Sequence, residues 1–356
     1  MAEMNNNTGT LNKQHPLYQE DLKYILQTKG IESLRDKCIA ITGATGLIGL
    51  CLIDALMSYN RQEGTIQIYA FGRSREKASL RLGEYLNDRR FHFIEQDARL
   101  PLSLLPEKID YIIPLASNTH PQAYSLYPIE TIDINVKGAE AALKKAVECG
   151  ATVLYPSTVE VYGNARGTDT FTEDYTGQLN LANSRSCYTE SKRLCEALCQ
   201  SYIAERQAQV KIVRLSRVFG PTMLMDDTKA SSQFICKALN HEDIVLKSKG
   251  EQLFSYTYVA DAVSAMIHVM TNGANGVAYN ISSGLCNVKL KEFATLCAEW
   301  ANKNVVFELP SETEQKGFSI ATRAILDNNR LTELQWSSGY TMREAVRRTL
   351  EILYNI

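Results

Sequence analysis

Short apolar runs alternate with longer stretches of helical period along most of this chain. The runs Cys38–Thr42, Ile66–Phe71, His92–Glu95, Tyr111–Leu115, Thr152–Pro156, Lys211–Leu215 and Ala278–Ile281 predict strands. Between them, three- and four-residue spacing predicts helices over Leu47–Tyr59, Arg75–Leu86, Pro128–Cys149, Tyr188–Arg206, Ala230–Leu239, Val259–Thr271, Leu290–Ala301 and Met342–Tyr354. Another helix, over Pro16–Gly30, precedes the first strand. Such alternation predicts an α/β fold, a doubly wound parallel sheet with crossover helices. It turns irregular after Gly220-Pro221. Three parts are expected: a tail and helix at 1–35, a main domain at 36–220, and a smaller α/β substrate lobe at 221–356 that sends a strand back to the main sheet. No internal repeat or Gly/Ser/Pro-rich linker divides them.

The first strand runs straight into Thr42-Gly43-Ala44-Thr45-Gly46-Leu47-Ile48-Gly49, and an apolar helix start follows. A strand that turns abruptly into a helix, with glycines for the tight turn and for close backbone approach, is a pyrophosphate cradle of the Rossmann type. Free N–H groups of the new helix point at the phosphates. Gly43, Thr45, Gly46, Leu47, Ile48 and Gly49 are therefore candidate cofactor residues. The second strand ends without an acidic residue to hold a ribose 2′-hydroxyl; Gly72-Arg73-Ser74-Arg75 follows it. Arg73 and Arg75 suit a 2′-phosphate, which favours NADP, and Ser74 stands between them.

Composition then excludes several classes. The chain has 356 residues, 45% of them hydrophobic, and a formal charge of −2, enough for a substantial core. There is no basic stripe for nucleic acid and no apolar run near the ~20 residues of a membrane span. Nine cysteines are scattered without a Cys-x-x-Cys pair, which suggests reduced, buried thiols of a cytoplasmic protein. Five isolated histidines give no metal site. His268 reads as a packed helix residue. The polar start, Met1 to Gln14, predicts a disordered tail.

Tyr188 and Lys192 lie one helical turn apart in Tyr188-Thr189-Glu190-Ser191-Lys192, so phenol and ammonium can face one ligand. With 18 tyrosines in the chain, about one such pair is expected by chance, and the context has to carry the weight. Upstream, at a predicted strand end, stands Pro156-Ser157-Thr158-Val159-Glu160-Val161-Tyr162-Gly163. Strand C-termini line the ligand crevice of such sheets. Thr158 can hydrogen-bond the oxygen that Tyr188 deprotonates, and the positive charge of Lys192 would lower the phenol pKa.

The cradle, Asp97-Ala98, Asn135-Val136-x-Gly138, the Ser157–Gly163 segment, Tyr188-x-x-x-Lys192 and Phe219-Gly220-Pro221 fall in order at fitting spacings. From about Cys38 onward the chain resembles the extended short-chain dehydrogenase/reductase family of nucleotide-sugar epimerases, dehydratases and decarboxylases. Within it the chain is most similar to the UDP-glucuronate decarboxylases. The resemblance implies a nucleoside-diphosphate sugar substrate, a 4-keto intermediate and a redox-neutral cycle. Tyr188 would be the base, with Thr158, Lys192 and Glu160 as catalytic partners. It also implies cofactor contacts from Asp97, Ala98, Leu115, Ala116, Ser117 and Asn135, as well as from Tyr188 and Lys192. A tightly held NAD is implied, against the NADP suggested by the arginines. Val159 stands where the dehydratases carry an acid, which argues against water elimination. Two departures touch the substrate: Arg217 stands where the decarboxylases have Asn, and Phe254 where they have Arg. Arg185 is expected near the sugar, Arg217 near the diphosphate, and Phe254 against a less acidic or deoxygenated sugar. The family also implies a homodimer through Pro128–Cys149 and Tyr188–Arg206. The same residues leave open a 4-epimerase or an NADP-dependent carbonyl or alcohol oxidoreductase.

Overall fold

A computed structural model describes residues 9, 11–62, 64–163, 170–310 and 321–355. The strands are β1 (Cys38–Thr42), β2 (Gln67–Gly72), β3 (Phe91–Glu95), β4 (Tyr111–Pro114), β5 (Thr152–Thr158), β6 (Gln209–Leu215) and β7 (Arg217–Phe219). They continue with β8 (Ile244–Leu246), β9 (Leu253–Tyr258), β10 (Ala278–Ile281), β11 (Asn287–Lys289), β12 (Val305–Phe307) and β13 (Arg323–Ala324). The helices are α1 (Pro16–Leu26), α2 (Leu47–Gln62), α3 (Arg75–Leu82), α4 (Pro121–Leu126), α5 (Pro128–Cys149) and α6 (Ser186–Arg206). After them come α7 (Ala230–Leu239), α8 (Val259–Asn272), α9 (Leu290–Ala301), α10 (Asn329–Glu333) and α11 (Met342–Tyr354).

Seven strands form one parallel sheet in the order β10-β6-β5-β4-β1-β2-β3. The chain winds outward from β1 to β3, then crosses back to β4. The order therefore reverses between β1 and β4, and a crevice opens beyond their carboxyl ends. Thr42 pairs with Phe71 on one side and Pro114 on the other, so the segments after β1, β2 and β4 leave the sheet at one level. β5 runs past the expected end at Pro156 to Thr158. Its ladder to β4 ends at Val153, so the missing proline N–H costs nothing on that side.

A second sheet forms around β9, with β7, just before Gly220, and β13 parallel to it and β11 antiparallel. β8 and β12 pair separately. β10 returns to the main sheet beside β6, and α8, which precedes it, is buried along most of its length.

Of the tail expected over Met1 to Gln14, residues 1–8 and 10 lie outside the described residues, Lys13 is docked on the fold, and the helix expected from Pro16 is present. α1 buries Tyr18, Leu22 and Ile25, and Lys13 reaches the carboxylate of Asp54 at 2.7 Å. Asp54 lies fully buried on α2 and also accepts from Tyr18 (2.6 Å) and Tyr85 (2.8 Å). A buried carboxylate needs such partners. Its demand for a cation ties Lys13 down, which the polar composition of the segment does not reveal. The helix expected to reach Gly30 stops at Leu26, and Gly30, at φ +95°, leads into a 3₁₀ turn. The helix expected over Arg75–Leu86 likewise tightens into a 3₁₀ turn at Gly83–Tyr85.

Candidate active site

The turn after β1 has the backbone that a dinucleotide needs. Gly43 has φ +68°, and a Cβ there would lie 2.7 Å from Ala116 N. At Gly49 a Cβ would meet Gly43 O at 2.4 Å, so any side chain would push α2 off the strand end. A Cβ at Gly46 would meet only its own turn, Gly43 O at 3.3 Å, which leaves the space above it open. Thr42 Oγ1 accepts from Ala116 N at 3.2 Å, fixing Leu115-Ala116-Ser117 against the cradle. Thr45, Leu47 and Ile48 lie at the half-buried start of α2. The open side of Gly46 and the first turn of a long helix fit a pyrophosphate.

The rim is polar. Arg73 pairs with Glu130 at 3.1 Å, and Ser74 caps α3 by accepting from Lys77 N at 3.1 Å. Asp97 accepts from Arg99 at 2.7 and 3.0 Å, and these bonds hold its carboxyl below the usual range. Ala98 is buried beside it. Asn135 is a bracket: its Oδ1 accepts from Ser117 (2.6 Å) and its Nδ2 donates to Ser191 (2.9 Å). It thereby ties the loop after β4 to the helix that carries Tyr188 and Lys192.

Those two side chains converge with Thr158 at the carboxyl end of β5. Thr158 lies beside the Tyr188 phenol, and its hydroxyl accepts from Glu160 N at 3.3 Å. Burial, then the nearby Glu160 carboxylate, push the phenol pKa up; the Thr158 hydroxyl and Arg185 pull it down. Lys192 is not among the charges that act on the phenol in this structure. Its Nζ donates to Pro156 O at 2.9 Å, and burial lowers its pKa to about 8. Arg185 is the cation that the phenol feels. Its Nη2 binds both Glu160 oxygens, at 2.8 and 2.7 Å, and its guanidinium lies 4.6 Å from the Tyr124 ring centre.

Tyr124 was not legible in the sequence. It packs its ring 4.9 Å from that of Tyr188, from the short helix α4. Nothing in its local pattern separates it from the other tyrosines; only the fold brings it to Tyr188. Beside Glu160 and Arg185 opens a cleft of about 540 Å³, continuous with solvent, lined also by Asn180, Asn183, Thr189 and Arg217 among others; Tyr188 and Thr158 are next to its lining residues in sequence and not part of the lining. Phe254 does not line it. Instead it backs Arg217, whose guanidinium carbon lies 3.5 Å from the ring centre.

The family model for the NAD dependent epimerase/dehydratase family matches residues 39–282. The chain belongs to this family. It is 32% identical over 239 residues to UDP-glucuronic acid decarboxylase 1 of Xenopus tropicalis, covering 67% of this chain and 55% of that protein. It is 34% identical over 238 residues to UDP-glucuronic acid decarboxylase 6 of Arabidopsis thaliana, covering 67% of each. The chain thus spans between half and two thirds of the length of these curated relatives. A dTDP-glucose 4,6-dehydratase of Streptomyces venezuelae with bound NAD superposes at TM-score 0.77 and 21% identity, covering 89% of this chain and 97% of that one. The UDP-glucuronic acid 4-epimerase of Bacillus cereus with UDP-glucuronic acid and NAD gives 0.75 and 20%, covering 89% and 99%. These likenesses establish the shared Rossmann-type α/β fold. Among the described residues, no helix is long and apolar enough to cross a membrane.

Proposed function

We propose that this chain is an NAD(P)-dependent enzyme of nucleotide-sugar modification that works through a 4-keto intermediate, with the chemistry of the UDP-glucuronate decarboxylases. The convergence of Thr158, Tyr188 and Lys192 beside the glycine cradle carries this reading. The oxidised nicotinamide supplies the acceptor for the hydride that leaves C4. Tyr188 takes the proton of the 4-hydroxyl, and Thr158 hydrogen-bonds the same oxygen. Burial keeps the phenol protonated by itself, so proton removal depends on positive charge nearby. Arg185 supplies some, and the Lys192 ammonium, charged below about pH 8, supplies more once it turns from Pro156 O. A ketone at C4 makes a C5 carboxylate a β-keto acid. Loss of CO₂ leaves its electron pair in an enolate whose oxygen Tyr188 and Thr158 hydrogen-bond. A proton from solvent at C5 would restore the ketone, and with hydride returned to C4 Tyr188 would give its proton back to the C4 oxygen, closing the cycle.

NAD is the proposed cofactor. Glu130 already engages Arg73, which weakens the case for a 2′-phosphate, and the relatives named above hold NAD in their structures. Titration of both cofactors into stripped protein checks this; a preference for NADP of about tenfold or more contradicts it. Turning the keto sugar before hydride return would make the same residues a 4-epimerase. Product analysis on a panel of nucleotide sugars that includes uronic acids tests the main reading. CO₂ and a shortened sugar from UDP-glucuronate are expected, and a C4 epimer alone would select the alternative.

A further inference from the structure

The cleft beside Glu160 is electrostatically unfinished. Its charged lining residues are Glu160, Arg185 and Arg217, one negative and two positive. Arg185 engages both oxygens of Glu160. Arg217 finds no carboxylate among the described residues. The charges it feels are Glu160, already paired, and Arg185, which repels it, while burial lowers its pKa. Both arginines line the cleft, and one guanidinium N–H donor of each, Arg185 Nε and Arg217 Nη1, is buried without an acceptor among the described residues. A buried charged donor left unmade is expensive, and a native fold keeps one where something else supplies the acceptor.

We propose that Arg185 Nε and Arg217 Nη1 together form an oxyanion site that holds one anionic group of the substrate, a phosphate or a carboxylate. The proposal rests on the nucleotide-sugar reading and deepens it. Phe254 has a defined part in the site. The guanidinium carbon lies over the ring, 3.5 Å from its centre, which holds the charged group in place. Arg185 is steadied in the same way by the Tyr124 ring and by Glu160. Both donors are thus held before the anion arrives, and little side-chain freedom is lost on binding. The oxyanion can come from the diphosphate or from an acid group on the sugar, and the two sources separate experimentally.

Isothermal titration of UDP-glucose, UDP-glucuronate and inorganic pyrophosphate into the full chain, wild type and Arg217→Gln, tests this. The variant should weaken UDP-glucuronate by about tenfold or more, the effect of losing a charge-assisted donor. An equal loss for UDP-glucose assigns the site to the diphosphate. A loss confined to UDP-glucuronate assigns it to the sugar carboxylate. If wild type binds pyrophosphate in an Arg217-dependent way but neither nucleotide sugar, the oxyanion site stands and the nucleotide-sugar reading falls. If wild type binds the nucleotide sugars and Arg217→Gln changes every affinity by less than about twofold, the site is refuted while that reading stands. Binding of no titrant to wild type refutes both. Should Arg217→Gln fail to fold, Arg217→Lys keeps the charge but not the planar fork. It too must weaken UDP-glucuronate, and wild-type affinity in that variant overturns the proposal.

Discussion

At the scale of single residues, the proposed chemistry depends on one phenol oxygen. Tyr188→Phe keeps the ring that packs on Tyr124 and removes only the group that exchanges the proton. Turnover should fall by roughly 10²–10⁴ while cofactor affinity stays nearly unchanged. Retention of even about a tenth of the wild-type rate would show that Tyr188 is not the base. Gly49 makes a different prediction, about fit. A Cβ there would lie 2.4 Å from Gly43 O, backbone that cannot step aside cheaply. Gly49→Ala should lower stability by about 1–3 kcal/mol and weaken the cofactor by spreading the cradle. A variant that melts and binds like wild type would contradict that account.

At the scale of elements, α1, α8 and the segment before α11 meet around two buried carboxylates. Asp21 binds Arg348 at 2.8 Å and accepts from Tyr258. Asp261 accepts from Tyr24 (2.7 Å) and Gly339 N (2.8 Å), while its Oδ2 has no partner among the described residues. Burial raises both pKa values to about 6, and for Asp261 the neighbouring Asp21 adds to the rise. A carboxyl whose folded pKa lies above its unfolded value contributes stability that is full below about pH 4 and lost as pH rises through about 6. Asp261→Asn removes that loss at its site and keeps the Oδ1 acceptor. From pH 5 to pH 7 the melting temperature of the variant should rise relative to wild type by a few degrees. A difference independent of pH would contradict the raised pKa. This cluster also marks the limit of sequence reading. The strands and helices of the main sheet follow from apolar runs and helical period, and β1, β10, α5, α7, α9 and α11 match to the residue. Thr158, Tyr188 and Lys192 were legible because each sits in a short segment whose neighbours specify it. Short strands such as β7, β9 and β13 carry no distinctive run and exist through pairing across the chain. Tyr124, the docking of Lys13 on Asp54, and the stacking of Arg217 on Phe254 are likewise long-range, so no local pattern encodes them.

At the scale of the whole molecule, α5 and α6 pack side by side and keep apolar residues exposed, among them Ile129, Ile132, Val147 and Leu194. An apolar face of this kind suits a second copy of the chain. Light scattering at micromolar concentration should give twice the 39.9 kDa of one chain, and Leu194→Asp should shift the protein toward monomer. A wild-type monomer would contradict this assembly. The central claim, that a hydride leaves C4 of a nucleotide sugar and returns to it, has a direct test. UDP-glucuronate bearing deuterium at C4 is incubated with the purified protein carrying its own cofactor, and the products are followed by mass spectrometry and NMR together with the near-ultraviolet absorbance of reduced nicotinamide. The account predicts CO₂ release, a product that keeps deuterium at C4, and no accumulation of reduced cofactor. Loss of the deuterium from the sugar with reduced cofactor formed in step would contradict it and make the protein a net oxidoreductase.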